Sequence, residues 1–271
     1  MKLAFSNIAW PIAREEEILG ILQHTGISGI EVAPTRLWPD WSGASPLAAA
    51  TYAGTLAAKG FSIPALQAIL FAKPELKLFG SDADREALSN HLQKVADLAA
   101  AFGAKSLVFG APKNRQLGDL SPEAGFAIAR EFFKTIAPHY ERRGVCLCLE
   151  ANPPAYACTF VTDSLSAAQL VRAVNSPGFG LHLDTACLFL AGEDTGAAIQ
   201  NNLDILRHFH VSEPFLDSFA HPKIDHTKVA AILRGARYRE WISLEMREPD
   251  PPVSGVQEAA EFLVQTYTRE S

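Results

Sequence analysis

The chain has 271 residues, 48% of them hydrophobic and 20% charged, with 24 Lys+Arg against 30 Asp+Glu. That length suits one large α/β domain, such as a (β/α)8 barrel of about 250 residues, and argues against a lone small sandwich or bundle. A net charge of −6 speaks against a surface built to neutralise nucleic-acid phosphates, and no apolar run approaches the roughly 18 residues a membrane span needs.

The N-terminal stretch reads as a first strand and helix rather than as a signal peptide: Asn7, Pro11 and Arg14 interrupt its apolar residues, and Glu15–Glu17 follow. Short apolar runs then alternate with longer Ala- and Leu-rich stretches of helical period. Strands are predicted over Leu3–Ile8, Gly29–Ala33, Ser62–Ile69, Ser106–Phe109, Val145–Glu150, Gly180–Asp184, Leu206–Val211 and Trp241–Met246. Helices are predicted over Glu15–Thr25, Pro46–Lys59, Asp82–Phe102, Pro122–Arg142, Asp163–Asn175, Ala197–Leu203, Thr227–Arg234 and Gly255–Tyr267. Ser45-Pro46 and Ser121-Pro122 place a capping hydroxyl before a proline at the first helical position. Gly60, Gly103 and Gly144 follow helices, where a left-handed residue closes the last turn at least cost.

Eight strands, each followed by a helix, predict a single (β/α)8 TIM barrel spanning residues 1–271. An open doubly wound sheet is the competitor, but the first strand runs into Ser6-Asn7-Ile8-Ala9-Trp10 and not into a Gly-rich phosphate loop. The four cysteines, 146, 148, 158 and 187, form no CxxC pair or dense framework, which fits reduced thiols and a cytoplasmic protein.

In a parallel barrel the chemistry gathers where the strands end. The last four predicted strands end in CLCLE, HLD, HFHV and ISLEM, which puts Glu150, Asp184, His210 and Glu245 at or near one rim. Carboxylates at the ends of buried strands are costly unless paired or coordinated. Three carboxylates and an imidazole pair poorly with one another and can hold one divalent ion, with oxygen-rich donors suited to Mn, Mg, Co or Zn. The plain alternative for any one of them is a solvated strand end. Four in succession favour the metal.

These residues resemble the xylose-isomerase-like barrel superfamily, in its sugar and sugar-phosphate isomerase/epimerase branch. That pattern has Glu on strand five, Asp on six, His on seven and Glu on eight. Here these positions are separated by 34, 26 and 35 residues. The resemblance implies a metal-dependent isomerase or epimerase with Glu150, Asp184, His210 and Glu245 as ligands. Glu150 and Glu245 would be the catalytic bases that move a proton beside a carbonyl. It also puts Glu31, in GIEV, in the substrate pocket. Barrels of this branch are often dimers or tetramers, which leaves a homodimer or tetramer open.

The departures are specific. Cys187 stands where many relatives carry a substrate-contacting histidine, and no second acid follows Glu150 before Asp163. After the seventh strand the chain reads Ser212-Glu213-Pro214 instead of a stretch with Arg and Pro-Gly-x-Gly. Asn7, Gln67 and Asn152 are amides near strand ends suited to sugar hydroxyls. Lys73, Lys113, Arg115, Lys223 and Arg247 fall in loops on the same face, where they would meet a phosphate or carboxylate or lie on solvated surface. Arg247 shares a face with Glu245 by alternation. His182 and His208, two residues before Asp184 and His210, share a strand face with those ligands; they would extend the site or, the favoured reading, sit as core histidines one layer down. Trp10, Trp38, Trp41 and Phe71 would wall a sugar pocket or pack the core.

The expected partner is a small sugar or sugar phosphate, with no nucleic acid and no membrane. Two alternatives stay open: a metal-dependent lyase or dehydratase acting on a keto-polyol, and a non-catalytic sugar- or metal-binding barrel. Abasic-site nuclease chemistry is disfavoured, because strands three and four end without the extra histidines it needs.

Overall fold

A computed structural model describes residues 1–268. Eight parallel strands run β1 Lys2–Ser6, β2 Gly29–Glu31, β3 Ala65–Leu66, β4 Ser106–Phe109, β5 Cys146–Glu150, β6 Phe179–Asp184, β7 Leu206–Ser212 and β8 Trp241–Glu245. Between and after them come helices α1 Glu15–Thr25, α2 Pro34–Leu37, α3 Pro46–Ala58, α4 Asp82–Phe102 and α5 Pro122–Arg143. The second half adds α6 Ser164–Val174, α7 Thr185–Leu190, α8 Thr195–Gln200, α9 His226–Gly235 and α10 Pro252–Thr268.

The strands pair in the order β2-β1-β8-β7-β6-β5-β4-β3. Single bridges Gly29↔Ser62 and Val32↔Leu66 join β2 to the β3 region, so the sheet nearly closes on itself as an α/β TIM barrel. The third strand is much shorter than its apolar run predicts. Pro64 lacks an N–H for the ladder, and its carbonyl instead accepts from Lys105 and Ser106. Closure is completed by Ile30 N–H to Ser62 O at 2.9 Å and Gln67 N–H to Val32 O at 3.0 Å.

Alternation along each strand divides the core. Outward residues such as Phe109 meet the helices, here edge-on to Phe133 of α5 at 5.4 Å between ring centres. Inward residues are unusually polar for a barrel interior: Ser6, Glu31, His182, His208 and Ser243 are all buried. The helix ends follow the sequence closely. Ser45, Ser121 and Asp163 each accept a backbone N–H as N-caps. Ser81 and Asp84 form a reciprocal capping box on α4. Gly103 and Gly144 close their helices with φ of 80° and 64°. The two helices that periodicity missed, α2 and α7, have four and six residues, too short to show a repeat.

Candidate metal centre

The strands of a tilted barrel are staggered against their neighbours, so ends aligned in sequence are not level in space. Here Glu150 is level with His182, Asp184 with His210, and Glu245 with Ser212. That stagger brings an extra histidine and an extra serine into the rim.

The most closely knit donors are Glu150, His182, Asp184 and His210, each with a ligand atom within 4.8 Å of the others. Glu245 joins through His210: its Oε2 is 3.2 Å from Nδ1 of the imidazole, and Asp184 Oδ2 is 3.9 Å from the same nitrogen. Despite these neighbours Nδ1 is buried without a hydrogen-bond partner, as are both ring nitrogens of His182. His182 Nε2 lies 3.5 Å from Glu150 Oε1. His182 therefore belongs to the rim as well as to the core.

Each ligand-type residue is held from outside. Glu31 is fully buried, and its carboxylate meets His210 Nε2 at 2.9 and 3.0 Å and His208 Nε2 at 3.2 Å. Hydrogen-bonded in this way, the ring of His210 turns Nδ1 toward the carboxylates. Asp184 ends β6 and also caps α7: Oδ1 accepts from Cys187 N–H at 2.7 Å, and Oδ2 from the Ser212 hydroxyl at 2.6 Å. Glu150 Oε2 accepts from Asn152 Nδ2 at 2.8 Å, while Asn152 Oδ1 accepts from Arg115 at 2.6 Å. Gly110 borders this carboxylate so closely that any side chain there would strike Glu150 Oε2.

The electrostatics reflect crowding. Burial, then the neighbouring Asp184, push Glu150 up to about 8, against the pull of His210. Burial also raises Glu245. Burial works to lower His210, but the carboxylates of Glu31 and Glu245 outweigh it and hold the ring well above its ordinary range. Burial would raise Glu31, yet His210 and His208 keep it well below. His182 is driven well below its ordinary range by burial and by the other two histidines.

A cavity of 480 Å³ opens above the rim, with Glu150, His210 and Glu245 at its base. Of the other residues expected at a substrate, Gln67 lines it and also donates to Ser6 Oγ. Glu31 does not line it; with no exposed surface it lies against the histidines. Asn7 is buried too, its Oδ1 accepting from Ala33 N–H at 2.8 Å to tie the first two loops together. Cys187 is buried beside Asn152, Sγ to Nδ2 at 3.6 Å, and outside the cavity wall. Arg247 points away: β8 ends at Glu245, alternation stops there, and the guanidinium is 65% exposed and paired with Asp217 at 3.1 Å. Of the four tryptophans and Phe71, only Phe71 is on the cavity wall. Arg115 is the largest departure from a solvated-surface reading, for it is 0% exposed.

The donor chemistry fits a divalent ion. A buried imidazole nitrogen without a hydrogen bond, faced by oxygens from three strands, offers donors of the type a divalent cation takes, and the protons now held on Glu150 and His210 are what such an ion would displace.

Known structures share this architecture. A D-psicose 3-epimerase crystallised in the presence of D-fructose superposes with TM-score 0.80 at 15% identity, covering 99% of this chain and 100% of that one. The D-psicose 3-epimerase of Clostridium cellulolyticum H10, crystallised with D-tagatose, gives 0.80 at 14% identity, over 98% and 99%. The IOLI protein, crystallised with a zinc atom, gives 0.73 at 18% identity, over 99% and 95%. At such identities the likeness carries the fold alone. No curated protein matches the sequence. Residues 19–266 match the xylose isomerase-like TIM barrel family, and the chain belongs to that family.

Proposed function

We propose that the protein is a divalent-metal-dependent isomerase or epimerase of a sugar or sugar phosphate, working as one barrel domain in the cytoplasm. The observation that carries this reading is the unpartnered Nδ1 of His210, enclosed by Asp184 and Glu245 and grouped with Glu150. Glu150, Asp184, His210 and Glu245 would hold the ion, with His182 beside them. When bound, the cation would stabilise negative charge developing on substrate oxygens.

The rest follows from the side chains. Asp184 has both oxygens engaged by Cys187 N–H and Ser212, which suits a fixed ligand and leaves it poorly placed to shuttle a proton. Glu150 and Glu245 border the cavity from β5 and β8, with two strands between them around the rim. They are the groups able to remove a proton from a carbon beside a carbonyl and return it. Ile69, Leu70 and Val108 supply an apolar wall that limits water around that carbon. The epimerases that share the fold were crystallised with ketoses, which supports a ketose-like substrate. The four free, buried cysteines fit a reducing compartment.

The test is metal analysis of the purified protein, then deuterium uptake from D2O into a panel of ketoses and ketose phosphates. About one metal per chain and solvent exchange are expected. Glu150→Gln and Glu245→Gln should each lower exchange by about 10²-fold or more. Failure to take up metal after reconstitution, or full exchange by both variants, would overturn the reading.

A further inference from the structure

The outer wall of the cavity carries charge of the opposite sign to its base. It is built by two loops, residues 67–81 after β3 and 110–121 after β4, which contribute Lys73 and Lys113. The acids that line the cavity are Glu150 and Glu245 at the base, so the outer wall has cations and no carboxylate. Among the described residues the lysines in ion pairs are Lys59 and Lys223, and the lysine ammoniums that donate to protein acceptors are those of Lys59 and Lys105. Lys73 and Lys113 do neither.

The two lysines are held together by design of the backbone. Asn114, buried and next to Lys113, donates from Nδ2 to the carbonyl of Lys73 at 2.8 Å and to that of Leu76 at 2.6 Å. Its own carbonyl accepts from Leu78 N–H at 2.8 Å. Ala72, just before Lys73, and Ala111, two before Lys113, have left-handed backbones with φ of 60° and 45°. Such strain in a non-glycine residue persists where the surrounding structure enforces it.

Two residues after Lys113, and outside the cavity lining, comes a third cation. The Arg115 guanidinium is fully buried, and its acceptor is the amide oxygen of Asn152; Nε and one terminal nitrogen have no partner. A buried positive charge facing an amide instead of a carboxylate is under-compensated, and its field adds to that of the lysines. In a chain of net charge −6, a cavity wall that carries two lysines and no carboxylate, with a buried arginine near it, differs from the chain as a whole.

We propose that Lys73 and Lys113 bind an anionic terminal group of the substrate, a phosphate or a carboxylate, while the reacting carbons lie over Glu150 and Glu245. This rests on the proposed function and names the substrate class of the same site. Ammonium groups act as point charges toward such oxygens, and binding an end remote from the reacting carbon orients that carbon. A neutral sugar would offer neither lysine an anion.

The test is calorimetric binding to the magnesium-loaded protein of D-fructose, D-fructose 6-phosphate, D-fructuronate and inorganic phosphate. At least one of the two anionic sugars should bind tenfold or more tighter than D-fructose, and the advantage should shrink with added salt. The phosphate and uronate arms decide which anion is preferred. Lys73→Met/Lys113→Met should bring the ratio to about one, and Lys73→Arg/Lys113→Arg should restore part of it. Equal binding of neutral and anionic sugars overturns the proposal, as does an advantage that survives the double methionine variant or failure to bind any of the four. The two readings fail separately. Lysine-dependent anion preference without proton exchange would leave the anion site standing and sink the isomerase reading. Proton exchange without anion preference would do the reverse.

Discussion

Glu31 decides how its neighbours behave. An isolated carboxylate with no exposed surface is too costly to bury, and this one is compensated by His210 and His208. The pair contributes to stability over a definite pH window. Glu31 is lowered on folding, so its share is present above the ordinary glutamate range and is lost as pH falls through the lowered value. His210 is raised, so its share is full below the ordinary histidine range and is lost as pH rises through the raised value. Glu31→Gln keeps the shape and removes the charge. It should destabilise the protein by about 3–5 kcal/mol in urea denaturation, as breaking a buried pair does. It should also weaken metal binding roughly 10–100-fold in a direct titration, the usual effect of losing the partner that orients a ligating histidine. Unchanged metal affinity would mean that Glu31 does not orient His210. In the sequence, GIEV put Glu31 in a substrate pocket by resemblance alone and carried nothing of its depth. Whether such a residue lines a cavity or supports its base depends on which side chains stand above it.

At the scale of elements, the rim was legible because carboxylates and histidines close apolar strands, a pattern local to each segment. The stagger between strands was not, for it is a property of the closed barrel. It explains why His182 and Ser212 stand level with Glu150 and Glu245 although each belongs to a different position along its strand. Helix α7 escaped notice for a related reason: Asp184 serves both as a strand end and as an N-cap, and six residues carry no repeat. Serine and aspartate caps, by contrast, fix helix starts through bonds to the next few N–H groups, which is why those boundaries could be read directly. The contact between the loops after β3 and β4 was invisible, because Asn114 reaches a carbonyl 41 residues away. Removing its side chain tests that contact. Asn114→Ala loses two hydrogen bonds to buried or partly buried carbonyls, for a cost of about 2 kcal/mol. Amide exchange should accelerate in residues 70–80 and stay slow in β5 to β8. Uniform acceleration across the barrel would show that the two loops are not an independent unit.

For the whole molecule, the consequence of the rim is mechanical as well as chemical. The proposed ligands Glu150, Asp184, His210 and Glu245 come one from each of β5, β6, β7 and β8, so a cation bound by them would join half the barrel at a single point. A ligand that binds only the folded chain stabilises it by about 2.7 kcal/mol at a hundredfold excess over Kd. For a chain near this size that is a rise in Tm of about 5–10 °C. The effect should depend on pH in one direction. Without metal, Glu150 holds its proton up to about pH 8, and an ion that takes the carboxylate must displace it. Apparent affinity should therefore fall by at least tenfold for each pH unit below that point, since the raised His210 must also give up its Nδ1 proton to a bound ion. Between pH 8.5 and 6.5 the stabilisation by a fixed magnesium or manganese concentration should drop by at least about 2 kcal/mol, the share of the Glu150 proton alone. Thermal denaturation at the two pH values, with metal and with chelator, measures it. Asp184→Asn should abolish most of the shift at both. A shift independent of pH, or one that grows toward acid, would show that Glu150 does not titrate with metal uptake, and a full shift in Asp184→Asn would move the ion away from this rim.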